Sequence, residues 1–253
     1  MTAHSLLITG ATGAIGGALA RHYAAPGVRL VLHGRRAEPL EALAQACRDA
    51  GAEVELSRVD LTDDTALEAW LGQLALPDVV IANAGQNIHA ENGAEMEDWQ
   101  ATSRLLDINL RTPMAMARHL APRMVERGHG QLVFLSSLAA WHGLPLTPSY
   151  SASKAGIKAY GEALRGWLAP RGVGVTVVMP GYVSSRMCHD MPGPKPWQID
   201  ADSAARRIAR GIEHNKARVS FPFPLNLGCW CLGVMPAGLA QPVLRLMGYG
   251  RST

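Results

Sequence analysis

Ser137, Tyr150 and Lys154 stand in the run SSLAAWHGLPLTPSYSASKAG, thirteen positions from serine to tyrosine and four from tyrosine to lysine. Residues at i and i+4 share one face of a helix. A free tyrosine keeps its proton until about pH 10. A fixed ammonium nearby favours the phenolate and lowers that pKa. Such a tyrosine can trade protons with a substrate oxygen near neutral pH. Ser137 follows the apolar run 132–135, which puts it at the C-terminal end of a strand, where its hydroxyl can bond the same oxygen. A Tyr-x-x-x-Lys pair alone is a weak motif. The serine at this offset, and a nucleotide loop upstream, make it specific.

That loop is Gly10-Ala11-Thr12-Gly13-Ala14-Ile15-Gly16, which follows the first apolar run and opens the first helical stretch. Glycines there allow a tight turn and let a pyrophosphate approach the backbone, and the helix N-terminus adds N–H groups and a positive dipole. The second strand ends His33-Gly34-Arg35-Arg36, with no acidic residue to hold the ribose hydroxyls of NAD. Arg35 and Arg36 can instead grip a 2′-phosphate by charge-assisted bonds, which favours NADP(H) over NAD(H). The other reading is a pair of solvated surface arginines. Asp60, after the third strand, is placed either to bond an adenine amino group or to cap its own loop. Leu61 beside it, and Ile15, complete the cofactor contacts expected here.

The elements that must position these groups are legible as periodicity. Short apolar runs at 6–9, 29–33, 54–57, 79–82, 132–136, 175–179 and 218–221 read as strands. Stretches of helical period at 15–25, 39–49, 64–74, 98–127, 150–168 and 201–215 lie between them. This alternation predicts an α/β fold, a single doubly wound Rossmann-like domain with a parallel sheet of about seven strands and helices on both faces. Thr112-Pro113 is expected to kink the long fourth helix. Residues 182–200 read as a mobile substrate loop and 221–253 as an apolar C-terminal extension.

With 253 residues the chain suits one domain with a sizeable core. Hydrophobic content of 48% with 18% charged residues fits a globular enzyme, and a net charge of +3 with scattered basic residues gives no footprint for nucleic acid. Cys47, Cys188, Cys229 and Cys231 lack zinc-site spacing and read as free thiols in a reducing cytosol. No metal is expected. The N-terminus shows no signal-peptide pattern, so a cytoplasmic location is expected.

Together these residues resemble the classical group of the short-chain dehydrogenase/reductase family, from Leu6 to about Ser185. The family's glycine motif is Thr-Gly-x-x-x-Gly-x-Gly, and here its middle glycine falls one place early, at Gly13. Asn83-Ala84-Gly85 resembles the family's Asn-Asn-Ala-Gly turn, with Ala82 replacing the first asparagine. By that resemblance it supports the sheet and borders the adenosine ribose. Asn109 matches the asparagine that holds a proton-relay water by disturbing its helix. Pro180-Gly181-Tyr182-Val183 matches the turn that contacts the nicotinamide amide. The resemblance implies hydride transfer between NADPH and a carbonyl, with Tyr150 as general acid, Ser137 orienting the oxygen, and Lys154 lowering the tyrosine pKa and bonding the nicotinamide ribose. It also implies a homodimer or homotetramer through the helices that bear Asn109 and Tyr150.

The tail departs from the Gly-rich last strand of many relatives, and carries one charge, Arg245, between 221 and 250. It is too interrupted to span a bilayer. Three readings stand: it covers the substrate pocket or packs at a subunit interface; it lies on a membrane surface at the inner face of a membrane; or it completes the core. Met187, Met191, Trp197 and the tail are expected to form an apolar pocket mouth, which suggests a hydrophobic, lipid-like carbonyl or alcohol substrate. His142, Cys188 and His189 fall near it without a catalytic assignment. The alternatives in function are a 3-ketoacyl-carrier-protein reductase, with only Arg186 and Lys195 as a basic patch, and a non-catalytic NADP(H)-binding sensor or scaffold.

Overall fold

A computed structural model describes residues 4–88, 96–191 and 193–249. Seven strands form one parallel sheet in the order β3-β2-β1-β4-β5-β6-β7. They are β1 (Ser5–Ile8), β2 (Arg29–His33), β3 (Glu53–Ser57), β4 (Val79–Ala82), β5 (Gly130–Leu135), β6 (Val173–Pro180) and β7 (Arg218–Phe221). Strand order reverses between β1 and β4, which leaves a crevice at the carboxyl ends of those strands where ligands of such folds bind. Leu7 aligns with Val31 on one side and Val80 on the other.

Both faces of the sheet are covered, which is why the strands read as continuous apolar runs rather than alternating ones. Successive side chains still point to opposite faces. Leu6, Ile8, Leu30, Leu32, Val79 and Ile81 pack into one layer with α1 (Ala14–Tyr23), α2 (Ala37–Asp49) and α8 (Ala201–Glu213). Leu7, Val31, Val80, Leu132 and Phe134 pack into the other with α3 (Asp64–Gln73), α5 (Thr112–Arg127) and α6 (Pro148–Leu168).

The predicted helix over 98–127 is two helices, α4 (Trp99–Leu106) and α5, joined by a π-helical turn at Asp107–Arg111. The discontinuity is centred on Asn109, not on Pro113. The backbone stays right-handed through Arg111 and Thr112, whose N–H reaches back five residues to Asp107 O, and Pro113, which has no N–H to give, follows directly on this break in the α-helical bonding.

The loop over 182–200 is pinned at its base. Val183 bridges Ile199, Ser184 N donates to Ile199 O at 2.8 Å, and a short helix α7 (Arg186–Asp190) lies between. Residue 192 of this loop lies outside the described residues. The tail forms α9 (Leu225–Val234), α10 (Ala237–Leu244) and a final π-helical turn at Arg245–Tyr249, with 250–253 outside the described residues.

Candidate functional site

A cavity of about 840 Å³ opens at the carboxyl ends of the strands. One end is built by β1 and α1. Gly10 takes a φ of +65°, a left-handed value that suits glycine, and a Cβ there would come 2.8 Å from Ala84 Cα. Gly13 is the N-cap of α1 and offers no side-chain cap, so the first N–H groups of the helix face the cavity unpartnered by side chains. Asn83 locks this turn: its amide donates to Thr9 O at 2.9 Å and Gly10 O at 3.2 Å. Thr9 Oγ1 in turn accepts from the backbone N–H groups of Asn83 and Ala84 at 3.0 Å each.

Gly10, Thr12, Gly13, Ile15, Arg35, Arg36, Asp60, Leu61, Asn83, Ala84 and Gly85 all line this cavity. Gly16 does not. It is buried, and a Cβ there would sit 2.4 Å from Gly10 O, so its work is to let the helix approach the loop. Arg35 and Arg36 are exposed beside the loop, and Arg36 Nη2 donates to Thr12 O at 3.0 Å. Asp60 is a turn cap: its Oδ1 accepts from Thr62 N at 3.0 Å and Thr62 Oγ1 at 2.8 Å, and these bonds hold its carboxyl below the ordinary range.

The other end carries Ser137, Tyr150, Lys154, Pro180, Gly181 and Val183. Ser137 follows β5, and its Oγ accepts from Ala139 N at 3.2 Å. Tyr150 and Lys154 sit on the first turns of α6. Ser136 anchors that helix, donating to Lys154 O at 2.7 Å. Lys154 is 5% exposed and its Nζ donates to Leu135 O at 2.8 Å. Burial lowers its pKa to about 8.

The electrostatics differ from the expectation that Lys154 lowers the tyrosine pKa. Burial dominates and raises Tyr150 above its ordinary value, while a hydrogen bond with the Ser137 side chain pulls the other way. The lysine nitrogen lies 5.6 Å from the Tyr150 ring centre, turned to a strand carbonyl. At neutral pH the phenol therefore keeps its proton.

Asn109 lies behind the cavity wall rather than on it. Its Oδ1 accepts from Gln86 N at 2.9 Å; its Nδ2 donates to Gln86 O at 2.9 Å and to Ser153 Oγ at 3.1 Å. Ser153 passes the link on to Tyr150 O at 2.7 Å. Both amide protons of Asn109 are thus spent on protein partners.

Met187 and Met191 line the cavity, as do His142, Cys188 and Arg186. Trp197 does not, and is 54% exposed. His189 is exposed too, beside Asp190. From the tail, Leu225, Cys229, Leu232, Leu244 and Met247 form the wall. Their sequence signal was only the apolar character of 221–250; which of them face inward follows from how α9 and α10 fold back. Phe223, Leu227, Val234, Leu239 and Leu246 remain exposed on the outer side. Among the described residues, no helix is long and apolar enough to cross a membrane.

Comparison with known proteins came to the same family. The family model described as short chain dehydrogenase matches residues 4–194. An uncharacterized oxidoreductase of Myxococcus xanthus is 35% identical over 252 residues, covering 97% of this chain and 98% of its own. Nodulation protein G of a Rhizobium species is 32% identical over 222 residues, covering 84% of this chain and 86% of its own. Among solved structures, a short-chain dehydrogenase from Sphingobium yanoikuyae in complex with NADPH superposes with a TM-score of 0.81 at 26% identity, covering 98% of each chain.

Proposed function

We propose, from the premise that this chain belongs to the short-chain dehydrogenase/reductase family and is an oxidoreductase, that it is an NADP(H)-dependent carbonyl reductase acting on a hydrophobic, lipid-like ketone or its alcohol. The observation that carries this reading is that Ser137, Tyr150 and Lys154 share one cavity with the glycine loop and the Arg35–Arg36 pair. The residues at the loop end fit a dinucleotide: a backbone cradle at Gly10, an uncapped helix start at Gly13 and two exposed guanidiniums alongside. The 26% identical solved structure is in complex with NADPH, and the preference over NAD rests on the two arginines.

A nicotinamide cofactor supplies the hydride. The chain's own residues handle the oxygen. Tyr150 keeps its proton through burial and gives it to the substrate oxygen as that oxygen gains the electron pair of the carbonyl. Ser137 hydrogen-bonds the same oxygen and fixes its position. Lys154 uses one N–H on Leu135 O, which leaves two donors for the cofactor ribose and the tyrosine side of the site. With the Asn109 amide committed to Gln86 and Ser153, a relay water belongs at the backbone loosened by the π-helical turn. Val183 and the Pro180–Gly181 turn close the nicotinamide end. The inner side of the tail walls the substrate side with apolar groups, which supports a hydrophobic substrate. A homo-oligomer through the helical stretch that bears Asn109 and through α6, and a cytoplasmic location, complete the reading.

The test is NADPH oxidation with a panel of hydrophobic ketones. Wild-type protein is expected to turn over at least one of them. Tyr150→Phe is expected to lower kcat by roughly 10²–10⁴ while NADPH affinity stays within about twofold. Undiminished turnover in the variant sinks the assignment of Tyr150. NADPH binding without turnover of any ketone by wild type shifts the reading to a non-catalytic sensor.

A further inference from the structure

The tail is joined to the body of the protein in an unusual way. Tyr182 Oη donates to Tyr249 Oη at 2.9 Å, and Tyr249 Oη donates to Pro194 O at 2.9 Å. Among the described residues, these two are the side-chain hydrogen bonds that tie 237–249 to the rest of the chain; the backbone adds the bonds of Leu239 N and Ala240 N to Pro236 O at the start of α10. Each phenol has one proton, so both are spent and the relay runs one way, from Tyr182 through Tyr249 to the carbonyl of the loop. Burial pushes both phenols above their ordinary pKa, so neither ionises at neutral pH.

The relay joins three segments that matter to the site. Tyr182 directly follows the Pro180–Gly181 turn at the nicotinamide end, Pro194 belongs to the substrate loop, and Tyr249 ends the described tail. The loop and the tail also pack directly: a Cβ on Gly248 would meet Pro194 Cδ at 3.5 Å, and one on Gly193 would meet Tyr249 Cδ1 at 3.7 Å. Tyr249 is 4% exposed although the neighbouring Leu246 is 90% exposed. Its ring is therefore the last inward anchor of a segment that also buries Ala240 and Leu244. Leu244 and Met247 lie within five residues of that anchor and wall the cavity together with the Tyr249 ring itself, which a change to phenylalanine would leave in place.

We propose that Tyr249 is a positioning residue that sets which substrates the cavity holds, by latching the tail to Tyr182 and Pro194 so that Leu244 and Met247 close on the distal part of a bulky substrate. This rests on the oxidoreductase reading above. A small ketone reaches only Ser137 and Tyr150 and does not touch this wall. A bulky one extends onto it, so its binding depends on the latch.

The experiment compares diacetyl with benzil, a small and a bulky diketone, in wild type and Tyr249→Phe. The variant keeps the ring and loses the relay. The KM for benzil is expected to rise roughly five- to tenfold, the worth of one or two net hydrogen bonds, with its kcat, the KM for diacetyl and NADPH affinity all within about twofold. Equal changes for both diketones, or no change for either, overturn the proposal. Hydrogen exchange supplies a readout free of turnover: peptides from 193–200 and 237–249 are expected to exchange faster together in Tyr249→Phe, while 148–168 stays as in wild type. If wild type binds NADPH but turns over neither diketone, the oxidoreductase reading is what fails. The exchange data then judge the latch alone, and unchanged exchange in both segments overturns it.

Discussion

At the glycine-loop end of the cavity the wall is backbone; at the opposite end it is side chains drawn from distant segments. The loop end is held by Thr9, Asn83 and a helix terminus, with a Cβ-free approach at Gly10 and Gly16. The substrate end takes Ile108, Leu144, Met187, Leu225, Leu244 and Met247 from five separate stretches of chain. A backbone cradle accepts one kind of ligand, a phosphate chain, and tolerates little change. A side-chain wall of adaptable methionines and leucines can be retuned residue by residue. Such a division lets one family keep its cofactor and vary its substrate, because function lives in sites grafted on a shared fold.

The sharpest way to break the comparison is at Gly16. Its missing Cβ would sit 2.4 Å from Gly10 O and 2.7 Å from Asn83 Nδ2. Gly16→Ala is expected to cost about 3 kcal/mol of stability by thermal or denaturant unfolding, and to weaken NADPH binding with it. A fully stable variant that binds NADPH normally would show the cradle to be far more plastic than its geometry implies.

Lys154 lies between the two ends and reads out in pH. Its pKa falls from the ordinary 10.5 to about 8 in the folded chain. The unfolded chain therefore holds a proton between those values that the folded one has lost, so this residue makes stability rise with pH from about 8 toward 10.5. Below pH 8 both states are charged and the full burial penalty remains. Lys154→Met removes that penalty, and the cofactor-free variant is expected to be about 2 kcal/mol more stable than wild type at pH 7. That advantage should shrink as pH approaches 10.5, which unfolding curves across this range measure directly. A variant less stable at pH 7, or a difference that does not change with pH, contradicts the lowered pKa.

An effect of similar size, read in cofactor choice rather than stability, is expected at the exposed arginines. Replacing Arg35 by Asp and Arg36 by Ala removes charge-assisted bonds of about 1.5–3 kcal/mol to a 2′-phosphate, so the NADPH-over-NADH ratio in kcat/KM should fall at least tenfold. Wild type that shows no preference, or a variant that keeps it, removes the arginines from cofactor choice.

Much of this was legible because its determinants are local. Asn83 and the loop glycines are backbone requirements, and Tyr150 and Lys154 are fixed by helix period once α6 exists. The strand and helix order followed from apolar runs and 3.6-residue spacing, with ends displaced by a residue or two. Where reasoning went astray, a non-local contact had won. The interruption of the long helix lies just before Thr112-Pro113, at Asp107–Arg111, and is centred on Asn109, whose side chain bonds Gln86 and Ser153. Trp197, expected at the pocket mouth, is 54% exposed and outside the cavity lining.

The sequence by itself determined the family, the parallel doubly wound sheet and the chemical identity of the groups at the proton-transfer end, since periodicity, turn chemistry and motif spacing act over a few residues. Tertiary structure alone decided the sign of the Tyr150 pKa change, because burial sets it. It alone decided which faces of α9 and α10 wall the cavity, since these helices are apolar nearly all round and carry no stripe to mark an inner side. And it alone brought Tyr182, Pro194 and Tyr249 within hydrogen-bond reach across 67 residues of chain, a meeting that no local pattern encodes.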